Sequence, residues 1–266
     1  MLKKRIIFTL LYDNEFFMLS RNFRLQRVGN LAWLQKNYNF EHIAFFIDEL
    51  IVLDVTRGKR DLLKFAGILK DLTAGCFVPI AAGGGVHSTD DAGLLLRSGA
   101  DKIVVNTSLF KNRKMVKNLI AEFGRQCVVG SVDLKHEDNG SFEIFVQNGE
   151  EKLNLKTNDA FEQILDETVG ELYLNSIDKD GTGQGYDFSV LDCIPKHCQV
   201  PVILAGGVGN WNHLKAGLSD FRVDAVATAH LFNFVGDGLQ KARENLLGQG
   251  IDLARWPSMH ETLIIN

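Results

Sequence analysis

Apolar runs of five to seven residues recur along the chain at about 5–11, 49–55, 78–82, 102–106, 127–133, 171–176, 200–205 and 224–229. They are near-continuous rather than alternating, which is the pattern of parallel strands buried on both faces. Between them, Leu62 to Leu72, Asp90 to Arg97, Val116 to Phe123, Phe161 to Val169 and Gly238 to Leu247 place apolar residues at helical spacing beside charged faces. Eight strands alternating with helices in about 250 residues predict a single-domain α/β protein, a (β/α)8 TIM barrel. A doubly wound open sheet is the competing arrangement.

The pattern repeats internally. Val78-Pro79-Ile80-Ala81-Ala82-Gly83-Gly84-Gly85-Val86 returns 122 residues later as Val200-Pro201-Val202-Ile203-Leu204-Ala205-Gly206-Gly207-Val208. The same offset pairs Asp48-Glu49-Leu50 with Gly170-Glu171-Leu172. Two half-barrels are implied, roughly 1–123 and 124–250, followed by a tail at 251–266. Regularity breaks at Tyr12 to Asn30 and at Lys135 to Lys156, where Glu137-Asp138-Asn139-Gly140-Ser141 between β-formers predicts a hairpin. Both irregular segments follow strands 1 and 5, so they belong at the C-terminal face, where barrel enzymes place their chemistry.

Composition narrows the field. The chain has 45% hydrophobic residues, and no apolar run reaches the roughly 18 residues needed to cross a bilayer. Acidic and polar residues arrive at Asp13 to Glu15, so the basic and then apolar start reads as the first strand and not as a signal peptide. A formal charge of −4 gives no electrostatic reason to expect nucleic acid or an anionic membrane as partner. Cys76, Cys127, Cys193 and Cys198 form no CxxC pair, and the seven histidines show no zinc-ligand spacing. A cytoplasmic protein with reduced thiols, no metal and no cofactor is expected.

Candidate chemistry gathers at strand ends. Gly84 and Gly85 after strand 3, with Asn106 and Thr107 after strand 4, form one phosphate site in this reading; Gly206 and Gly207 with His230 form its repeat. Two such sites at one mouth imply a long, doubly phosphorylated ligand. His230 weakens the second, because a ring stands where a small polar group would bind. Asp54, Asp133, Asp178 and Asp180 end strands or just follow them, where carboxylates act as general acid and base or simply cap a turn. Asp133 is the best placed, but its partner at the 122-residue offset is Leu11, and Asp13 would reach the mouth only through a bulge. At the opposite end, Arg5, Glu49, Lys102 and Glu171 start four strands with alternating sign. They read either as solvated strand ends or as a salt-bridged ring across the axis.

With these residues in place, the chain from Arg5 to about Leu246 resembles the cyclase subunit of imidazole glycerol phosphate synthase. The matching motifs are Asp48-Glu49-Leu50-Ile51-Val52-Leu53-Asp54, Gly83-Gly84-Gly85-Val86, Gly99-Ala100-Asp101-Lys102, Asn106-Thr107, Ser176-Ile177-Asp178-Lys179-Asp180-Gly181-Thr182 with Gly185-Tyr186-Asp187, and Ala205-Gly206-Gly207. The resemblance implies Gly181 and Thr182 as further ligand-binding residues. It implies a glutaminase docked at the N-terminal face, ammonia passing along the axis, and Arg5, Glu49, Lys102 and Glu171 as its gate.

The chain also departs from that pattern. It keeps the strand 5 aspartate as Asp133, but has Leu11 where the family has an aspartate and Leu19 where it has a lysine. Losing a carboxylate removes a proton-transfer step of the kind that contributes about 10²–10⁴ in rate. The combination resembles a divergent branch associated with acetamidino modification of surface-polysaccharide sugars. It implies a barrel that, with a glutaminase, supplies ammonia to a sugar amidotransferase for lipopolysaccharide or a related glycan. A working histidine-pathway cyclase acting on a phosphorylated small molecule, and a non-catalytic activator of the glutaminase, are the alternatives.

Overall fold

The computed structural model describes residues 3–38, 44–167, 169–229 and 237–255. Eight parallel strands close on themselves: β1 (Arg5–Asp13), β4 (Glu49–Asp54), β5 (Ile80–Gly83), β6 (Lys102–Val105), β7 (Val128–His136), β10 (Glu171–Ser176), β11 (Val202–Ala205) and β12 (Ala225–Thr228). They pair in that order, and β12 pairs with β1 to seal the barrel. β4 and β10 begin 122 residues apart, as do β5 and β11.

Strands 3 and 7 begin two residues later than the apolar runs predict, at Ile80 and Val202. Pro79 and Pro201 have no N–H to give to a ladder. Each contributes its carbonyl instead, accepting from Leu50 N and Leu172 N at 2.9 Å. The aspartates that precede β4, β6 and β12 brace the N-terminal rim in a repeated way. Asp48, Asp101 and Asp224 accept from the N–H of Ile6, Ile80 and Val202 on the neighbouring strand, at 2.8–2.9 Å. Before β10 the equivalent residue is Gly170, where a Cβ would meet Arg125 O at 2.5 Å.

The helices pack outside as amphipathic elements. α2 (Leu62–Thr73) buries Phe65, Ala66, Leu69 and Leu72 and is capped by Asp61, whose carboxylate accepts from Lys64 N. α3 (Thr89–Arg97) opens on a capping box between Ser88 and Asp91. α4 (Thr107–Lys111), α5 (Arg113–Phe123), α6 (Thr157–Glu167), α7 (Trp211–Ser219) and α8 (Gly238–Gly248) follow; between β10 and β11 only a 3-10 turn forms, at Phe188–Cys193. Arg243 of α8 is buried and holds Asp48 with two hydrogen bonds of 2.8 and 3.0 Å, tying the last helix to the barrel's N-terminal rim.

Both predicted irregularities are extensions of barrel strands. The hairpin after strand 5 is present: β7 turns through 137–141 into β8 (Phe142–Val146), which pairs with β9 (Glu151–Lys152). The first irregular segment is a second extension. β1 turns at Asn14 and Glu15 into β2 (Phe16–Arg21), which turns at Asn22 and Phe23 into β3 (Arg24–Gly29), before α1 (Leu31–Tyr38). Asn14, Glu15, Asn22 and Phe23 all have positive φ, as two-residue hairpin turns require.

The barrel interior is filled in layers. Above the charged starts of β1, β4, β6 and β10 lie Ile7, Ile51, Val129 and Ile203 with Ala81 and Ala225; Tyr173, Ala205 and Ala227 belong to the same inner cluster. Ala81, Ala205, Ala225 and Ala227 give this cluster its small side chains, and the hydroxyl of Tyr173 shares a 3.3 Å hydrogen bond with Thr9. None of the helices among the described residues is long and apolar enough to cross a membrane.

Candidate functional site

At the N-terminal end the four charged strand starts meet in a closed ring. Arg5 Nη1 lies 2.9 Å from Glu49 Oε2 and 3.0 Å from Glu171 Oε1; Lys102 Nζ lies 2.9 Å from Glu49 Oε1 and 3.1 Å from Glu171 Oε1. Each cation bridges both carboxylates, so two strands of each sign alternate around the axis. Burial would lower Arg5, but Glu171 and Glu49 outweigh it and hold the guanidinium more firmly protonated. Burial raises Glu49 against the opposing pull of Lys102. Glu171 Oε2 is buried without a hydrogen-bond partner, so the ring leaves one acceptor spare.

At the opposite end a cavity of about 650 Å³ opens between the two hairpins and reaches down the axis to Thr9, Val104, Tyr173 and Ala227. Asp133 stands in its wall. Its Oδ2 accepts from Asn106 Nδ2 at 3.1 Å and its Oδ1 from Asn175 Nδ2 at 3.3 Å. Burial pushes its carboxyl up to about 7; the two amide hydrogen bonds oppose that shift and the charge of Asp180 adds to it. A carboxyl poised near neutrality can give or take a proton at working pH. Leu11 and Leu19 line the same cavity, so the departures seen in the sequence are apolar surfaces of the mouth.

The other carboxylates are occupied elsewhere. Asp180 lines the cavity, but its carboxylate accepts from Ser20 Oγ and from Phe23 N at 3.1 Å, pinning the β2–β3 hairpin over the mouth. Asp54 accepts from Thr56 N at 2.9 Å and lies 3.8 Å from Arg60 Nε; burial raises its pKa. Asp178 accepts from His136 N at 2.7 Å and is not part of the cavity wall. Asp13 accepts from the side chain of its neighbour Asn14 at the hairpin turn and does not line the cavity either.

Both glycine pairs line the mouth in left-handed conformations, with φ of 105° and 70° at Gly84 and Gly85 and 89° and 104° at Gly206 and Gly207. A Cβ on Gly84 would lie 2.1 Å from Asp54 O, and one on Gly207 2.1 Å from Gly185 O. No other residue fits there without moving backbone. Asn106 and Thr107 flank the first pair, and Thr228 and Ala229 the second. His230 lies outside the described residues. Gly181 lines the cavity, with its Cα under Ser20 O. Thr182 does not, because its hydroxyl donates to Lys179 O at 2.8 Å and closes the turn.

The structure also brings in residues that the sequence reading missed. Asn175 could have been found, since alternation from Glu171 through Tyr173 points it inward. Arg60, Gln147 and Asn148 sit on loops with no periodicity to reveal them.

The sequence profile of the family described as "Histidine biosynthesis protein" matches residues 24–236. A protein of Parasynechococcus marenigrum (strain WH8102) named "Putative imidazole glycerol phosphate synthase subunit hisF2" is 47% identical over 265 residues, covering 98% of this chain and 97% of that protein. The chain belongs to the HisF-like family. A second relative in it, "Imidazole glycerol phosphate synthase subunit HisF" of Dictyoglomus thermophilum, is 31% identical over 224 residues, covering 84% of this chain and 87% of its own length. This HisF-like barrel therefore carries Leu11, Leu19 and Tyr173 on a scaffold shared over nearly its whole length.

Proposed function

We propose that this HisF-like barrel receives ammonia from a glutaminase docked on its N-terminal face and conducts it along the axis to the mouth. Its acceptor reaction is not the ring-forming cyclase step. The ammonia serves amidino-sugar synthesis for a surface glycan, through a separate sugar amidotransferase. The observation that carries this reading is the contrast between a complete ring of Arg5, Glu49, Lys102 and Glu171 and a mouth where Leu11 and Leu19 line the same cavity as Asp133. A carboxylate pair can divide acid and base roles; here Asp54 and Asp180, which also line the cavity, are engaged by Thr56 and by Ser20 and Phe23, and Leu11 offers no carboxylate to pair with Asp133.

The test pairs the chain with its glutaminase and compares glutamine-dependent with ammonium-dependent product formation. Lys102→Ala is expected to keep ammonium-dependent product and to lose most of the glutamine-dependent product while glutamate is still released. Normal glutamine-dependent product in that variant would count against conduction.

One observation favours a second reading, a cyclase of histidine biosynthesis. Asp133, raised to about 7 between two glycine-built anion sites, is suited to serve as a lone acid and base in turn.

A further inference from the structure

Arg60 follows β4 on the loop into α2 and lines the mouth beside Gly85, where a Cβ would come within 2.8 Å of its Cδ. Its Nη2 donates to Asn148 Oδ1 at 3.2 Å. Its Nε is buried and makes no hydrogen bond; the nearest carboxylate oxygen, on Asp54, is 3.8 Å away and already accepts from Thr56 N. A buried N–H donor without an acceptor is costly, and a ligand that supplies one relieves that cost. The N–H groups of Gly84 and Gly85 have no acceptor among the described residues. A guanidinium, two adjacent amide donors at positive φ and the hydroxyl of Thr107 therefore stand on one side of the cavity.

The loop between β8 and β9 closes this corner. Gln147, Asn148 and Gly149 have φ of 54°, 57° and 78°, a left-handed run that non-glycine residues adopt only when held. Here it is held at three points. Gln147 N donates to Thr107 Oγ1 at 3.1 Å; Asn148 Nδ2 donates to Val55 O and Thr56 O; Gly149 packs on Phe23 of the other hairpin. Arg60 is thus fixed by the same loop that roofs the glycine pair.

We infer that Arg60 is a phosphate ligand of this mouth, binding a phosphate monoester together with Gly84 and Gly85. The inference rests on reading the glycine pair as an anion site and names the cation that completes it. Across the cavity, Gly206 and Gly207 form the second pair, where a Cβ on Gly207 would lie 3.1 Å from Lys179 Cβ, and the cavity wall also carries Leu11, Leu19 and Leu25.

Isothermal titration of the full chain with inorganic phosphate and with ribose 5-phosphate tests this, comparing wild type, Arg60→Gln, Arg60→Lys and Gly85→Ala, with thermal unfolding to confirm that each variant folds. Arg60→Gln is expected to weaken both ligands about 10- to 100-fold, the loss of one charge-assisted contact, and Arg60→Lys to weaken them less. Unchanged affinity in Arg60→Gln, alongside loss in Gly85→Ala, would overturn the role of Arg60 and leave the glycine site standing. Absence of phosphate binding by the wild type would overturn both.

Discussion

The two ends of the barrel handle charge in opposite ways. At the N-terminal end each cation of the ring, Arg5 and Lys102, meets two carboxylates from different strands. At the mouth Asp133 is buried, accepts from the amides of Asn106 and Asn175 and makes no ion pair among the described residues, so burial raises its carboxyl to about 7. A paired charge stays ionised and holds a shape; an unpaired one shifts its pKa and becomes able to move a proton. The same fold thus builds a closed ring of ion pairs at one end and a buried carboxyl near neutrality at the other.

Breaking the ring has the largest expected effect. Lys102→Ala leaves Glu49 and Glu171 sharing Arg5 alone in a mostly buried setting, and should cost about 3 kcal/mol in urea unfolding at pH 7. A cost under about 0.5 kcal/mol would show that the four residues are only solvated strand ends. Relieving the mouth comes next. The folded pKa of Asp133 is about 7 against an ordinary 3.8, so its contribution to stability is fully present below about pH 4 and is lost as pH rises through 7. Asp133→Asn should therefore stabilise the protein at pH 8 by ~2–4 kcal/mol, with the gain fading towards pH 4. A pH-independent difference would place the carboxyl in its ordinary range. The smallest effect sharpens the contrast at the lid. Ser20→Ala removes one hydrogen bond to Asp180, worth about 0.5–1.5 kcal/mol, and should speed amide exchange in the β2–β3 hairpin while β4 to β6 keep their protection.

Much of this was readable from the chain. Parallel strands buried on both faces show as apolar runs, and the repeated Pro and Gly-Gly boundaries locate the loops at the mouth. The ring residues could be placed because each starts such a run. The β2–β3 extension could not, since its turns at Asn14-Glu15 and Asn22-Phe23 use positive φ without glycine, and asparagine alone is a weak signal. Asp54 and Asp180 have strand-end positions like that of Asp133, but their different roles depend on partners at Thr56 and Ser20, set by tertiary packing. Arg60 lay in a charged loop, Arg57-Gly58-Lys59-Arg60, where sequence cannot tell which cation turns inward.

In the function proposed above, the mouth does not close the imidazole ring. Its most direct test is turnover of the doubly phosphorylated histidine-pathway intermediate by the purified chain with ammonium salt at high pH, beside Leu11→Asp. No turnover at an enzymatic rate is expected from the wild type. Turnover by the wild type at a rate normal for an enzyme would contradict that function, and would show that Asp133 alone suffices opposite Leu11.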